Sequence, residues 1–349
     1  MDVDGLKQYA LAVWKAKQGE LVSLMVYLGD ELGIFRSMAG SGLVTSGDVA
    51  DATGLAERPL REWLMGMAAA GLLMYDAGRF LLPAEGTAVL VDEETSPHFA
   101  AGVFGPSFPR STLDPVITLM RTGRGTPPTD VDHDTVRVIE RMTGPMHRLA
   151  LVPGILSQVE GLVDRLDGGA RVLDLGCGSG VAGEQVARRF PRSFVVGIDS
   201  SPAAIDRARL RTADLDNVAF QQGLAREIGD GPYDVILAFD VLHDLARPDV
   251  ATASVRAAAA DDSVFVVKEL RTGPTFVDNL KNPLLALFYG LSLIGCLQTG
   301  LSSEDGWGLG ALGLHPELLV ALLGSAGYGD VVTLDSPDPA NFYVAARAI

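Results

Sequence analysis

Residues 171–180, RVLDLGCGSG, constrain this chain more than any other stretch. A short apolar run (Val172, Leu173, Leu175) carries one acid, Asp174. It ends in glycines at alternate positions, Gly176, Gly178 and Gly180, and passes into the helical sequence VAGEQVARRF. A buried strand feeding a glycine-rich turn and a helix N-terminus is the first half of a βαβ nucleotide-binding unit. Glycine serves there because the turn uses positive φ and a ligand must approach the backbone with no Cβ in the way. Spacing separates two ligand classes. The dinucleotide fingerprint G-x-G-x-x-G/A needs Gly or Ala at position 181, where this chain has Val181.

Beyond the turn, strand-like and helical runs alternate. The strands read VLDLG, SFVVGID, NVAFQQG, YDVILAF, SVFVVKEL, DVVTLD and FYVAARA, with helices predicted at 181–190, 202–210, 250–260 and 316–326. Such alternation predicts a mainly parallel sheet covered on both faces, closed here by a late hairpin-like pair.

The N-terminal part is different. Residues 5–38 read as one helix with apolar positions at Leu21, Val22, Leu24, Met25, Leu28, Leu32, Ile34 and Phe35. That surface is broad enough to predict a homodimer built through it. In VTSGDVADATG, Thr45 or Ser46 caps a short helix, Asp48 lies in its first turn and Gly54 ends it. A second helix with Leu60, Leu64, Met67 and Ala68 on one face precedes two short strands joined at Ala77-Gly78. Helix, turn, helix, hairpin is the order of a winged helix. A DNA reader would need a basic recognition helix, yet the candidate offers only Arg58 and Arg61, flanked by Glu57 and Glu62. Residues 1–100 carry seven Lys/Arg against fourteen Asp/Glu, so charge favours a structural or dimerisation role. The predicted division is a winged-helix or dimerisation domain over 1–100, a helical linker over 101–165 that contributes to the cleft, and the α/β domain over 166–349. The linker holds a short helix near 112–121 and two longer ones over 134–149 and 152–166.

Whole-chain composition narrows the partners. A net charge of -16 argues against an extended phosphate-binding surface. The two cysteines, Cys177 and Cys296, lie far apart and fit a reducing cytoplasm. The N-terminus, MDVDGLKQYA, has no secretory pattern, and the apolar stretch 283–296 is shorter than the roughly 20 residues of a membrane-spanning helix. His98, His133, His147, His243 and His315 are scattered, with no metal-ligand spacing, so no metal is expected.

Two further stretches bear on chemistry. Asp199 ends the second strand of the α/β domain, where an acid is placed to accept the hydroxyls of a ribose. Ser200 or Ser201 before Pro202 would cap the next helix. The fourth strand ends AFDVLHDLARPD, at the carboxyl edge where open α/β sheets bind ligands.

The form G-x-G-x-G preceded by LDL resembles motif I of class I S-adenosylmethionine (SAM) methyltransferases. The order winged helix, helical linker, seven-stranded Rossmann-like domain resembles the bacterial winged-helix methyltransferases related to a mycobacterial protein. The resemblance covers nearly the whole chain. It implies SAM as cofactor and S-adenosylhomocysteine as product. It also implies a cofactor cleft built from Asp174, Gly176, Gly178, Gly180, Asp199, Ser200, Gly223, Leu224, Phe239 and Asp240. Asp174 would lie beneath the glycine loop near the amino end of the methionine moiety, or else satisfy loop amides. Many relatives carry an acid for the adenine amine where this chain has Leu224. The adenine would rely instead on apolar packing, a backbone carbonyl or Gln222. The pair His243-Asp244 resembles that of two-domain O-methyltransferases acting on phenols, in which the His deprotonates the acceptor hydroxyl and an acid after the fifth strand orients it. Here that acid is Glu269.

These readings favour a SAM-dependent methyltransferase acting on a small organic acceptor, most readily at oxygen. A neutral hydroxyl is a poor nucleophile until its proton leaves, and imidazole, with a reference pKa of about 6.5, can take that proton. An acceptor that arrives anionic would need only positioning, with His243 as lining. The alternatives are a SAM-sensing winged-helix regulator and a cofactor-binding scaffold without turnover. Phe288, Tyr289 and Leu293, followed by a glycine-rich hinge around Trp307, are candidates for the acceptor pocket and lid.

Overall fold

The computed structural model describes the chain apart from residues 1, 56, 106–110, 112–113, 116–117, 120–121, 128–130, 230, 280, 283–287, 289–290, 293, 337 and 339, and apart from the side chains of 7, 10, 11, 14, 17, 21, 58, 59, 62, 69 and 276. The chain divides into two compact units, one of residues 1–107 with 141–145, the other of 108–140 with 146–349. Most of the predicted short helix near 112–121 lies outside the described residues.

In the first unit the expected single N-terminal helix is two. Helix α1 (Val3–Glu31) ends where Gly33 takes φ 70°, and α2 (Ile34–Met38) starts in a new direction. Helix α3 (Ser46–Thr53) is capped reciprocally by Thr45 and Asp48 and closed by left-handed Gly54, as turn chemistry predicts. Helix α4 (Glu57–Ala69) buries Leu60, Leu64 and Met67, with Trp63 beside them. The wing is a hairpin of β1 (Met74–Asp76) and β2 (Arg79–Leu81), turned at Ala77 and Gly78.

Half of the apolar set assigned to a dimer surface, Val22, Met25, Ile34 and Phe35, packs in this unit's own core. Val26, Ile34 and Phe35 are buried, and the Trp63 indole N–H donates to the Met25 carbonyl at 2.8 Å. Of that set, only Leu28 and Leu32 are exposed among the described side chains. The exposed apolar side chains of α1 lie mainly earlier, at Val3, Leu6, Tyr9 and Val13.

The second unit is built on a seven-stranded sheet: β3 (Arg171–Leu175), β4 (Phe194–Asp199), β5 (Val218–Gln222), β6 (Tyr233–Phe239), β7 (Ala259–Leu270), β8 (Tyr328–Leu334) and β9 (Asn341–Ala348). Their order is β5-β4-β3-β6-β7-β9-β8, with β9 antiparallel to both of its neighbours. Strict alternation decides the faces. Val172, Val235, Leu237, Val264, Val266, Tyr343 and Ala345 pack on one side, whereas Leu173, Ile236, Phe265, Val267, Phe342 and Val344 pack on the other. Between Phe194 and Asp199 and along β3 and β6 the predicted strands are found within a residue or two.

The helix expected over 152–166 is absent as such. A π-helical stretch, His147–Ile155, carries Pro153, whose missing N–H cannot support regular α pairing, and left-handed Gly161 breaks the chain again before Leu162–Gly168. Among the described residues no helix is long and apolar enough to cross a membrane.

Candidate active site

The chain runs outward through β3, β4 and β5, then returns to place β6 on the other side of β3. The carboxyl ends of β3 and β6 therefore flank the switch point where open α/β sheets leave a crevice. A Cβ at Gly176 would stand 2.4 Å from Val241 Cγ2, so the turn after β3 abuts the turn after β6 closely enough to require glycine. A Cβ at Gly180 would collide with Phe220 and Ala208. At Gly178 it would meet nothing within 4 Å. The middle glycine thus faces open space, with its amide held in place.

That amide is held by Asp199, whose Oδ2 accepts from Gly178 N–H at 2.9 Å while Oδ1 accepts from Ser201 N–H at 2.8 Å. Burial raises the Asp199 carboxyl above its ordinary value, the two amides pull it back, and the charge of Asp244 adds to the rise. Each carboxylate oxygen retains a further lone pair, so the same group can accept from a ligand. Ser201, rather than Ser200, caps the following helix, Pro202–Arg211, by accepting from Ala204 N–H. The Ser200 carbonyl accepts from the Gln222 side-chain amide, and Gly223 N–H donates to the Asp199 carbonyl. Leu224 is half-buried just beyond them.

Asp174 is only 2% exposed and accepts from Gly183 N–H in the helix after the turn. Burial pushes its carboxyl up to about 7, against the pull of that amide and with a further push from Asp199.

At the end of β6, Phe239 is buried and packs against the imidazole of His147, the rings tilted by 43° with 5.3 Å between their centres. Burial pushes His147 well below its ordinary range, and the nearby charge of Lys268 adds to this. Its Nε2 is shielded from solvent and has no hydrogen-bond partner among the described residues. Asp240 takes φ 55°, a left-handed conformation that Asp tolerates better than most residues, and pairs with Lys268 Nζ at 2.5 Å. Lys268 is 2% exposed. Burial opposes its charge, and Asp240 more than restores it, holding the ammonium above the ordinary range. Sequence reading singled out neither His147 nor Lys268. The one available signal was a lysine inside the otherwise apolar run SVFVVKEL.

His243 and Glu269 meet. The 3₁₀ turn Leu242–Asp244 follows β6 and Glu269 ends β7, so parallel pairing of these strands brings them together. His243 Nδ1 is hydrogen-bonded to Glu269 Oε2, and Glu269 Oε1 accepts from Leu242 N–H at 3.1 Å. Both side chains are buried. Burial by itself lowers the His243 pKa, but the carboxylates of Glu269 and Asp244 outweigh it and raise it well above the ordinary value. Asp244 Oδ1 sits 3.2 Å from His243 Nε2. Cys296, from the helix Cys296–Gly300, completes a cluster in which His243, Asp244 and Cys296 offer donor atoms within 4.8 Å of one another.

Of the residues expected in an acceptor pocket, Phe288 is half-buried and Trp307 is 42% exposed, while Tyr289 and Leu293 lie outside the described residues. His315 accepts from Leu318 N–H at 3.4 Å and caps a helix, Pro316–Ser325, far from any ligand role.

Comparison with known proteins bears on the domains and the fold. Residues 166–288 match the family described as a methyltransferase domain, and residues 20–92 match the Rv2258c-like winged HTH domain. A trans-aconitate 2-methyltransferase of Deinococcus radiodurans is 42% identical over 67 residues, which is 19% of this chain and 25% of that protein. A ubiquinone biosynthesis O-methyltransferase of Alkalilimnicola ehrlichii is 37% identical over 89 residues, 24% of this chain and 34% of that protein. The match thus spans about a quarter to a third of these curated relatives. In fold the likeness extends along nearly the whole chain. Human N-acetylserotonin methyltransferase in complex with SAM superposes with a TM-score of 0.70 at 18% identity, covering 98% of both chains. An O-methyltransferase family protein from Burkholderia thailandensis superposes with a TM-score of 0.61 at 18% identity, covering 97% of this chain and 98% of that one. The chain therefore joins an Rv2258c-like winged helix-turn-helix domain to a methyltransferase domain of the class I, Rossmann-like fold.

Proposed function

We propose that this protein is a SAM-dependent methyltransferase that methylates an oxygen of a small organic acceptor. The observation that carries this reading is the convergence, at one sheet edge, of an open glycine turn braced by Asp199 with a buried His243 held by Glu269. SAM, when bound, supplies an electrophilic methyl group on sulfur. Gly176 and Gly180 let the turn pack closely against its neighbours, Gly178 leaves the backbone accessible, and Asp199 offers lone pairs to a ribose. Asp174 offers an acid to the amino end, and Ser200, Gly223, Leu224, Phe239 and Asp240 line the rest. Glu269 holds His243 in one orientation and tautomer, so that Nε2 can take a proton from an acceptor hydroxyl. Incubating the protein with isotopically labelled SAM and a metabolite extract should yield a labelled small molecule. Label recovered in none would remove the enzymatic reading.

Cofactor binding is tested separately. Asp199→Ala is expected to weaken SAM and S-adenosylhomocysteine binding by roughly tenfold to a hundredfold, the effect of losing charge-assisted hydrogen bonds of about 1.5–3 kcal/mol. The circular dichroism spectrum should stay native. Equal calorimetric affinity for variant and wild type would take Asp199 out of the site.

The winged helix serves assembly in this reading, not DNA recognition. Arg61 on α4 is already paired with Glu57 at 2.8 Å, which reduces what it can offer a phosphate. We infer a homodimer that covers the exposed apolar side chains at the start of α1, Val3, Leu6, Tyr9 and Val13. Light scattering at low micromolar concentration should give about twice the 36.8 kDa chain mass. A single-chain mass would show that this surface stays open. Both cysteines are free, which suits a reducing cytoplasm.

A further inference from the structure

Protein metal sites that use histidine have a recurring construction. One ring nitrogen binds the ion, and the other donates to a buried carboxylate that sets the tautomer and raises ligand basicity. His243 has this arrangement before any ion is considered. Its Nδ1 is engaged by Glu269, a carboxylate 1% exposed that is itself fixed by Leu242 N–H. In the neutral imidazole, with the Nδ1 proton donated to Glu269, Nε2 presents a lone pair. Yet the atom facing it at 3.2 Å is Asp244 Oδ1, another lone-pair donor that is shielded from solvent and has no well-aligned hydrogen bond among the described residues. Two acceptors at that distance call for something positive between them, a proton or a cation. The third neighbour favours a cation of one class. Cys296 Sγ lies with these two atoms inside a 4.8 Å cluster.

We propose that His243 Nε2, the Asp244 carboxylate and Cys296 Sγ form a binding site for a zinc-class divalent cation, and that occupancy inhibits methyl transfer by taking the lone pair the base needs. One nitrogen, one oxygen and one sulfur donor is a borderline-soft set that suits Zn²⁺ or Co²⁺ and poorly suits Mg²⁺ or Ca²⁺. In a tetrahedral zinc site such donors stand about 3.3–3.6 Å apart; His243 Nε2 and Asp244 Oδ1 are already that close, and Cys296 Sγ, within 4.8 Å of them, would close in by up to about 1 Å, leaving a fourth position for water. Asp244 provides a way in, since its side chain is 39% exposed although the histidine behind it is buried. Binding would exchange the thiol proton and any imidazole proton for the ion, with no change of oxidation state. The inhibitory part of this inference rests on the methyltransferase reading above. The binding part does not.

The test uses the full-length protein and cobalt as a spectroscopic stand-in for zinc. Titrating Co²⁺ into the metal-free protein, with neither SAM nor acceptor present, should give one equivalent of tetrahedral d–d absorption together with a thiolate-to-cobalt charge-transfer band, both displaced by Zn²⁺. Cys296→Ser should abolish the charge-transfer band and weaken metal binding at least tenfold, and Asp244→Asn should keep the band while weakening binding. With a methyl acceptor in hand, Zn²⁺ should inhibit wild type stoichiometrically. The inhibitory concentration should rise at least tenfold in Cys296→Ser, each protein being compared with its own metal-free rate. No thiolate band, or the same band in Cys296→Ser, overturns the site. Methyl transfer that ignores or is stimulated by Zn²⁺ while the band is present overturns the inhibition. Failure to find any methyl acceptor would leave the spectroscopic result standing, so the two readings fail separately.

Discussion

Replacing His243 with Gln should leave SAM affinity unchanged and lower turnover by about 10²–10⁴, the usual contribution of a positioned general base. The pH profile carries the finer part of this expectation. The His243 pKa is raised because the Glu269 and Asp244 carboxylates outweigh burial. The base form is therefore available only above the ordinary histidine range, and turnover should increase with pH through a value higher than about 6.5. Glu269→Gln removes the larger of the two carboxylate effects, so this limb should move to lower pH even as the maximal rate falls. The same sign governs stability. A histidine whose folded pKa is raised contributes stabilisation that is complete below about 6.5 and is lost as pH rises through the folded value. Acceptors of low pKa arrive ionised and should lose less in His243→Gln. A variant that methylates a high-pKa hydroxyl at the wild-type rate would demote His243 to a lining residue, with positioning doing the rest.

Lys268→Met should destabilise the protein by about 3 kcal/mol, near the lower end of what removing one partner of a buried ion pair costs. The lower end applies because the Asp240 side chain is still 23% exposed, against 2% for Lys268. The mechanism is the Asp240 carboxylate left uncompensated, since its Oδ1 is already buried with no hydrogen-bond partner among the described residues. Adding Asp240→Asn should recover much of the loss, because a neutral side chain that tolerates φ 55° then replaces the stranded charge. Urea denaturation of the single and double variants measures both effects. A Lys268→Met midpoint equal to wild type would mean that Asp240 does not depend on Lys268 for compensation.

Local chemistry accounts for what was legible without coordinates. Strand faces follow from a period of two, as at Val172 and Leu173. Helix starts follow from side chains that reach amides three residues on, as at Thr45 and Ser201. The glycine turn follows from the backbone it must adopt. Where the local rule had a competitor, the reading moved. Gly33 divided a helix that apolar spacing had run together, and Pro153 with Gly161 removed another. The apolar surface read over residues 21–35 is partly internal, because spacing reports which positions are apolar, not which neighbour covers them. Val26, Ile34 and Phe35 turned out to cover their own unit.

The sheet and the glycine turn at its centre were legible in the residues alone, because each depends on short-range periodicity, whereas the pairing of His243 with Glu269 was what the family resemblance implied. It took the folded chain to show that His147 packs against Phe239, that Lys268 neutralises Asp240 and that Cys296 stands beside His243 and Asp244. His147 and Cys296 reach their partners from distant segments, selected by how loops and helices pack over the sheet edge, whereas Lys268 meets Asp240 from the neighbouring strand. No pattern of neighbouring residues encodes that.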